Sequence, residues 1–397
     1  MFEFIKKNTS LIAVSWGHFV NDFFMSVVPV VLFAFASEMK LNAIQMSMIA
    51  FVITTAGTFF QPLVGLLIDK VQKSSLLIYS LLLITLGMSL SGLITNFYLL
   101  ILVVGVSALG SSVYHPLGST ITIHKTSLTK GKSLSVFMTV GSFAHSAAPI
   151  VAIPLVTIYG LKALSVLMIP GLLSCLILYM ARVQEVTWTK DKDSSEGSNH
   201  AKLTKGQMAQ MTIPMSIAVI KGLLYRVVIV FGVILLGIKG IEPVMAAAVL
   251  SAFMIARAFA TLIGGFISDS IGEKNTLILF NTAALFSVFM LVYGGNLLSI
   301  LGLVILGFTI NATAAANITI THKILPNNVN YGTGLIMGFA ATMSAVAILG
   351  FGVLVDRFSL TASLNVVVVL TAFMAVSSYA LPKELFIIVN NSEESTL

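Results

Sequence analysis

Apolar residues fall into about twelve stretches, near 11–36, 42–68, 75–94, 97–123, 132–158, 161–181, 211–237, 242–268, 274–294, 297–321, 329–355 and 360–382. Each approaches the ~20 residues that carry a helix across a bilayer. None shows the ~10-residue alternation of polar and apolar positions that marks a lipid-facing barrel strand. The pattern predicts an all-α integral membrane fold with 12 transmembrane helices. Composition agrees, since 57% of the 397 residues are hydrophobic and 9% are charged, with a mean hydropathy of +1.01, which excludes a soluble globular class.

The stretches repeat. Gly65-Leu-Leu-Ile-Asp69-Lys70 closes the second and Gly265-Phe-Ile-Ser-Asp269-Ser270 the eighth, while His124-Lys125 after the fourth answers His322-Lys323 after the tenth. Two homologous six-helix halves, the architecture of many secondary transporters, follow from such an offset. The expected division is an N-terminal bundle over 1–182, a linker over 183–208, a C-terminal bundle over 209–385 and a polar tail over 386–397. The linker mixes charges with Ser, Gly and Asn and has no apolar period.

Basic loops stay in the cytoplasm. Of the 22 Lys and Arg, Lys40, Lys162, Lys239 and Arg357 fall on one side, three lie within the stretches, and the rest share the side of the N-terminus. Both termini and the linker are therefore expected in the cytoplasm, and the net charge of +7 reflects topology and no nucleic-acid partner. Lys6 and Lys7 precede an apolar run as in a signal peptide, but His18, Asn21 and Asp22 interrupt that run, which reads as a retained helix. The lone Cys175 leaves no disulfide or cysteine metal cluster. No metal and no cofactor is expected.

Ionisable residues at membrane depth cost at least a few kcal/mol unless they meet a partner or water. Seven qualify: His18 and Asp22 in the first stretch, His115 in the fourth, His145 in the fifth, Lys221 and Arg226 in the seventh and Arg257 in the eighth. A rise of ~1.5 Å per residue puts Asp22 and Arg257 roughly 18 Å deep, near mid-bilayer. His18 and Asp22 share a helix face at i, i+4, which suits a proton relay. The alternative is a structural counter-ion for Lys221, Arg226 or Arg257. Three cations suit a substrate carrying carboxylate or phosphate groups, unless Lys221 or Arg226 snorkels to an interface. Asn21, Tyr114 and Tyr225, beside these charges, are candidate substrate contacts.

His115 precedes Pro116, which loosens its helix. His145 lies among small residues and Pro149, where helices approach closely. Either is a cavity group or a satisfied core histidine. The residues Gly65, Asp69, Lys70 and Lys73, with Gly265 and Asp269, suit a gate latch in which glycine allows close packing. Gly352, Asp356 and Arg357 repeat that pattern on the other face. A structural loop is the alternative for each. Gly131-Lys132-Ser133 is not a phosphate loop, because Thr126 occupies the place of the first glycine.

With Gly65, Asp69, Lys70 and Lys73 between helices 2 and 3, the chain resembles the major facilitator superfamily, although Gln72 stands where that signature has glycine. His18-Phe-Val-Asn-Asp22 with Pro29, the run from Gly110 through His115-Pro116, and Gly131-Lys-Ser-Leu-Ser135 resemble the fosmidomycin-resistance type of exporter. The resemblance implies proton-driven export of a small polar compound, with Asp22 and the His115 region in the cavity. Leu117 stands where that group commonly has an acid, and Ala148 where the antiporter signature has glycine.

The expected function is secondary active export, by proton antiport, of a small anionic compound such as a carboxylate-rich metallophore or a phosphonate antibiotic. The expected setting is a bacterial-type cytoplasmic membrane, with the protein a monomer. Uptake symport of an organic anion or sugar phosphate is the alternative. A membrane enzyme is disfavoured, since no paired carboxylates or metal ligands sit at a membrane face.

Overall fold

The computed structural model describes residues 8–124, 126–128, 130–187, 204–326, 332–333 and 335–381. Most of the linker, the tail and the side chain of Asp69 lie outside them. Among the described residues there is no strand, and twelve helices are long and apolar enough to cross a membrane. They are α1 Thr9–Val30, α2 Ala43–Gly65, α3 Leu76–Leu93, α4 Phe97–His124, α5 Val136–Tyr159, α6 Leu161–Met180, α7 Lys205–Ile238, α8 Pro243–Thr261, α9 Glu273–Tyr293, α10 Asn296–Ile324, α11 Leu335–Phe358 and α12 Leu360–Tyr379.

Several boundaries differ from the hydropathy pattern for local reasons. The first stretch does not run unbroken to 36: Pro29 removes a backbone donor, α1 stops at Val30, and a separate helix covers Leu32–Met39. α7 begins at Lys205, within the expected linker, because Thr204 and Gln207 form a reciprocal capping box. α10 is interrupted at Thr313, between Asn296–Ala312 and Ala314–Ile324. α11 opens with a π turn over Leu335–Phe339. Irregular backbone at this depth is tolerated where it lines a cavity, and both interruptions do so.

The helices beyond α2 and α8 run on to Val71 and Ile271. Gln72 ends the first with φ of 49°, a left-handed conformation that glycine adopts without penalty. The proposed latch glycines Gly65 and Gly265 have no neighbour within 4 Å of an added Cβ, so neither makes the close approach expected of it. Gly264 does so instead, against the Ala312 backbone of α10. Lys70, Lys73 and Asp269 are exposed at this end.

The two halves meet chiefly through α2 with α11 and α5 with α8. At the far face, Asp356 at the end of α11 accepts hydrogen bonds from the backbone amides of Ala43 (2.7 Å) and Ile44 (3.0 Å). Asn42 and Gln45 satisfy each other's amides in a capping box. All four amides from Asn42 to Gln45 at the start of α2 thus find acceptors, two of them from the opposite half. Gly352 seats α11 against Ala43 and Ser47. Arg357, expected to join this latch, is exposed.

Asp356→Ala is expected to destabilise the protein by about 1 kcal/mol, as loss of a helix cap does, and to speed hydrogen exchange in peptides covering 42–46. Unchanged exchange there would show that the carboxylate does not hold the far face. Gln72→Gly is expected to raise stability by about 1 kcal/mol, read as a higher melting temperature in detergent.

Candidate functional site

A cavity of about 400 Å³ lies between the halves, lined on one side by Asp22, Ser26, Ser111, His115 and His145 and on the other by Tyr225, Arg226, Arg257 and Asn311. Titratable acid and imidazole come from α1, α4 and α5, and the cations come from α7 and α8.

Asp22 is 7% exposed. Its Oδ1 accepts from Asn21 Nδ2 at 2.8 Å and lies 3.3 Å from His115 Nε2. Its Oδ2 lies 3.2 Å from His18 Nε2 and 3.7 Å from His145 Nε2. One carboxylate therefore faces three imidazoles. The alternative pairing of Asp22 with Lys221, Arg226 or Arg257 is absent: among the described residues its ionic contacts are all with histidine.

The partners of each ring fix where protons reside. His18 Nδ1 lies 2.7 Å from the Phe137 carbonyl, which only accepts, so Nδ1 carries a proton. Its Nε2 then faces both Asp22 and His115 Nδ1, the latter at 3.1 Å. At His145, Nδ1 lies 2.7 Å from Ser26 Oγ, whose hydroxyl also lies 2.9 Å from the Asp22 carbonyl, so Ser26 holds one ring nitrogen and turns the other, Nε2, toward Asp22. Protonation at that atom creates an ion pair, and the His145 side chain is 32% exposed. His115 is 28% exposed on the same wall. His18, at 1%, lies behind them, stacked on Phe137 with ring centroids 3.9 Å apart. Gly141 makes this possible, because an added Cβ would meet the His18 ring.

On the other wall, Arg226 Nη1 donates to the Gly222 carbonyl (3.0 Å) and Ser344 Oγ (2.8 Å), and Nη2 to the Ala341 carbonyl (3.2 Å). It faces the cavity and does not snorkel. Arg257 lays its guanidinium 4.1 Å from the centre of the Tyr225 ring and reaches Asn311 Oδ1 at 3.3 Å. The Nε groups of both arginines are buried donors without an acceptor. Lys221 hydrogen-bonds Thr313 Oγ1 at the break in α10. Among the described residues none of these cations has a carboxylate partner.

Two expected substrate contacts lie elsewhere. Tyr114 is 0% exposed and its hydroxyl donates to the Val14 carbonyl at 2.9 Å, which makes it a core tie between α4 and α1. Asn21, also 0% exposed, donates to Asp22 and to Ser111 Oγ, and so positions the carboxylate from behind. Tyr225 does line the cavity. Sequence reasoning missed Ser26, Ser111, Phe137, Thr313, Asn311 and Ser344. Ser26 is legible in hindsight as the i+4 neighbour of Asp22, and Ser111 as the i−4 neighbour of His115. The others are brought in by packing between distant helices.

His18, Asp22 and His115 offer ligand atoms within 4.8 Å of one another, a spacing that also suits a metal ion. Each atom already has a protein partner that explains its position.

The model of the Major Facilitator Superfamily matches residues 14–327. The fosmidomycin resistance protein of Escherichia coli (strain K12) is 25% identical over 353 residues, covering 88% of this chain and 86% of that protein. YfnC of Bacillus subtilis (strain 168), described as an uncharacterized MFS-type transporter, is 22% identical over 383 residues, covering 94% and 93%. Among solved structures, a bacterial homologue of the human lysosomal transporter Spinster, inward-facing and occupied, aligns with a TM-score of 0.80 at 13% identity, over 95% of this chain and 97% of that one. The D-xylose-proton symporter aligns with a TM-score of 0.74 at 12% identity, over 95% and 98%. At such identities the solved structures establish the fold alone. With the family model spanning most of its length and two six-helix halves enclosing a charged central cavity, this chain belongs to the major facilitator superfamily of membrane transporters.

Proposed function

We propose that this protein is a secondary active exporter that moves a small anionic compound out of the cell in exchange for protons. The observation that carries this reading is the division of charge around one cavity. Asp22 with three imidazoles stands on one wall, and arginines with no carboxylate partner among the described residues stand on the other. The first arrangement binds and releases protons within the membrane. The second recognises oxyanions such as the carboxylates of a metallophore or the phosphonate of an antibiotic. The likeness to a fosmidomycin resistance protein favours the outward direction. The setting that fits is a bacterial cytoplasmic membrane with both termini inside, from the distribution of lysine and arginine.

In this scheme His115 and His145 pass protons between cavity water and Asp22. Loading Asp22 withdraws the acceptor that its neighbours share, and the altered network biases the two conformations. Arg257 and Arg226 hold the anion, while Asp356 closes the far face and the loops around Gly65, Asp69, Lys70, Lys73, Gly265 and Asp269 close the near one in turn. Exchange requires that the proton-loaded and the anion-loaded forms each cross, and that the doubly loaded form does not.

One observation favours uptake symport as the second reading. The imidazoles and the cations face a single cavity, so an added proton makes that cavity more attractive to an anion. Direction separates the two. In energised everted vesicles with fosmidomycin as the probe, exchange is expected to accumulate the drug and dissipate the interior acidity. Accumulation in right-side-out vesicles alone would establish uptake.

Asp22→Asn is expected to abolish movement against a gradient while binding of the drug persists, and retained proton-coupled transport would remove Asp22 from the mechanism. Arg257→Gln is expected to weaken binding about 10-fold or more, in line with loss of one charge-assisted hydrogen bond. Arg257→Lys should not restore it, because an ammonium cannot reproduce a planar guanidinium stacked on Tyr225 and bonded to Asn311. Equilibrium binding of labelled fosmidomycin to the purified variants checks both.

A further inference from the structure

Beside the central cavity lies a second, of about 300 Å³, held wholly within the C-terminal half. It shares Tyr225, Arg226, Arg257 and Asn311 with the first. What it adds is Lys221, with Asn317 and Ser344. Among the described residues, no acidic one lines it. The break at Thr313 and the π turn at Leu335–Phe339 build two of its walls, with Asn311 and Ala314 from either side of the break and Ile336 and Met337 from the turn.

We infer that this annex is a second anion subsite, and that the transported compound carries two oxyanion groups, one held by Arg257 and Arg226 and the other by Lys221. The inference rests on the reading that the central cavity binds an anion and narrows that substrate to a dianion. An ammonium at membrane depth needs acceptors for three donors, and among the described residues Thr313 Oγ1 is the one hydrogen-bond acceptor of Lys221. Arg226 and Arg257 each keep a buried Nε donor with no acceptor. Three cations in adjoining low-dielectric cavities repel one another, and two oxyanions relieve that repulsion better than one. Lys221 and Arg226 leave α7 five residues apart, ~7.5 Å along the axis at their Cα atoms, which sets only the scale of the spacing between the two oxyanions. Adipate and pimelate have about that separation between their carboxylates, whereas succinate is too short.

The test uses the full chain in phosphatidylcholine nanodiscs and measures binding of α,ω-dicarboxylates from succinate to suberate against the monocarboxylates of equal length. The expected result is an affinity advantage of about 10-fold or more for a dicarboxylate, largest near adipate and pimelate, abolished in Lys221→Gln and retained in Lys221→Arg. An advantage that persists in Lys221→Gln overturns the subsite, and so does a wild-type series in which dicarboxylates bind no better than monocarboxylates. The wild-type series decides the matter even if the glutamine variant does not fold. Repeating it with phosphatidylglycerol present identifies the source of the second oxyanion. Loss of the advantage there means that a lipid headgroup fills the annex and overturns a two-headed solute, whereas an unchanged advantage supports one. Arg257→Gln keeps the two readings apart. If it weakens both ligand series while Lys221→Gln changes neither, the central anion site stands and the annex falls. If Arg257→Gln changes neither series, the central reading itself fails.

Discussion

A charge placed at mid-bilayer must be paired, hydrated or bonded, and the arrangement of this molecule follows from how its two halves meet that demand. The N-terminal half surrounds the carboxylate of Asp22 with protonatable rings, so that balance is reached by moving protons. The C-terminal half offers its cations carbonyls, hydroxyls and one aromatic face, which bond them without neutralising them. The cavity is therefore polarised across the boundary between the halves. Small residues and irregular backbone serve this polarity: Gly141 admits the His18 ring, the break in α10 turns Thr313 toward Lys221, and the turn at the start of α11 brings the Ala341 carbonyl under Arg226.

Much of this was legible in the sequence, because the relevant signals are local or have a fixed period. Twelve apolar stretches, the 200-residue repeat and the rarity of intramembrane charge pointed to the fold and to seven ionisable residues, five of which line the central cavity. His18 and Asp22 were readable as neighbours because i, i+4 spacing on a helix is a contact. What escaped was rotational setting. Tyr114 adjoins His115 in sequence yet points the opposite way, into the core, and Asn21 precedes Asp22 yet faces the protein and not the solute. Adjacent helical positions differ by about 100°, so closeness in sequence is poor warrant for a shared function. Of the two partners weighed for Asp22, the i, i+4 histidine is the one the structure supplies, and packing of α1 against α4 and α5 adds two further rings that no local spacing could announce.

The proposed latch glycines teach the same lesson about packing. Gly65 and Gly265 share a motif and a place in the repeat, but small size permits close approach without compelling it. Their open surroundings leave room at the near end, whereas Gly352 is seated against Ala43 and Ser47 at the far one.

That far-face contact has a consequence for how the molecule must open. Asp356 supplies the acceptors for two amides of α2, and separation of the halves strips both amides of a partner at once. Asp356 is exposed at that face, so water stands ready to take over those bonds as the cleft parts. Opening of the far face thus exchanges two protein hydrogen bonds for bonds to water, and its cost is set by the hydration of one carboxylate and two amides, whatever compound is being carried.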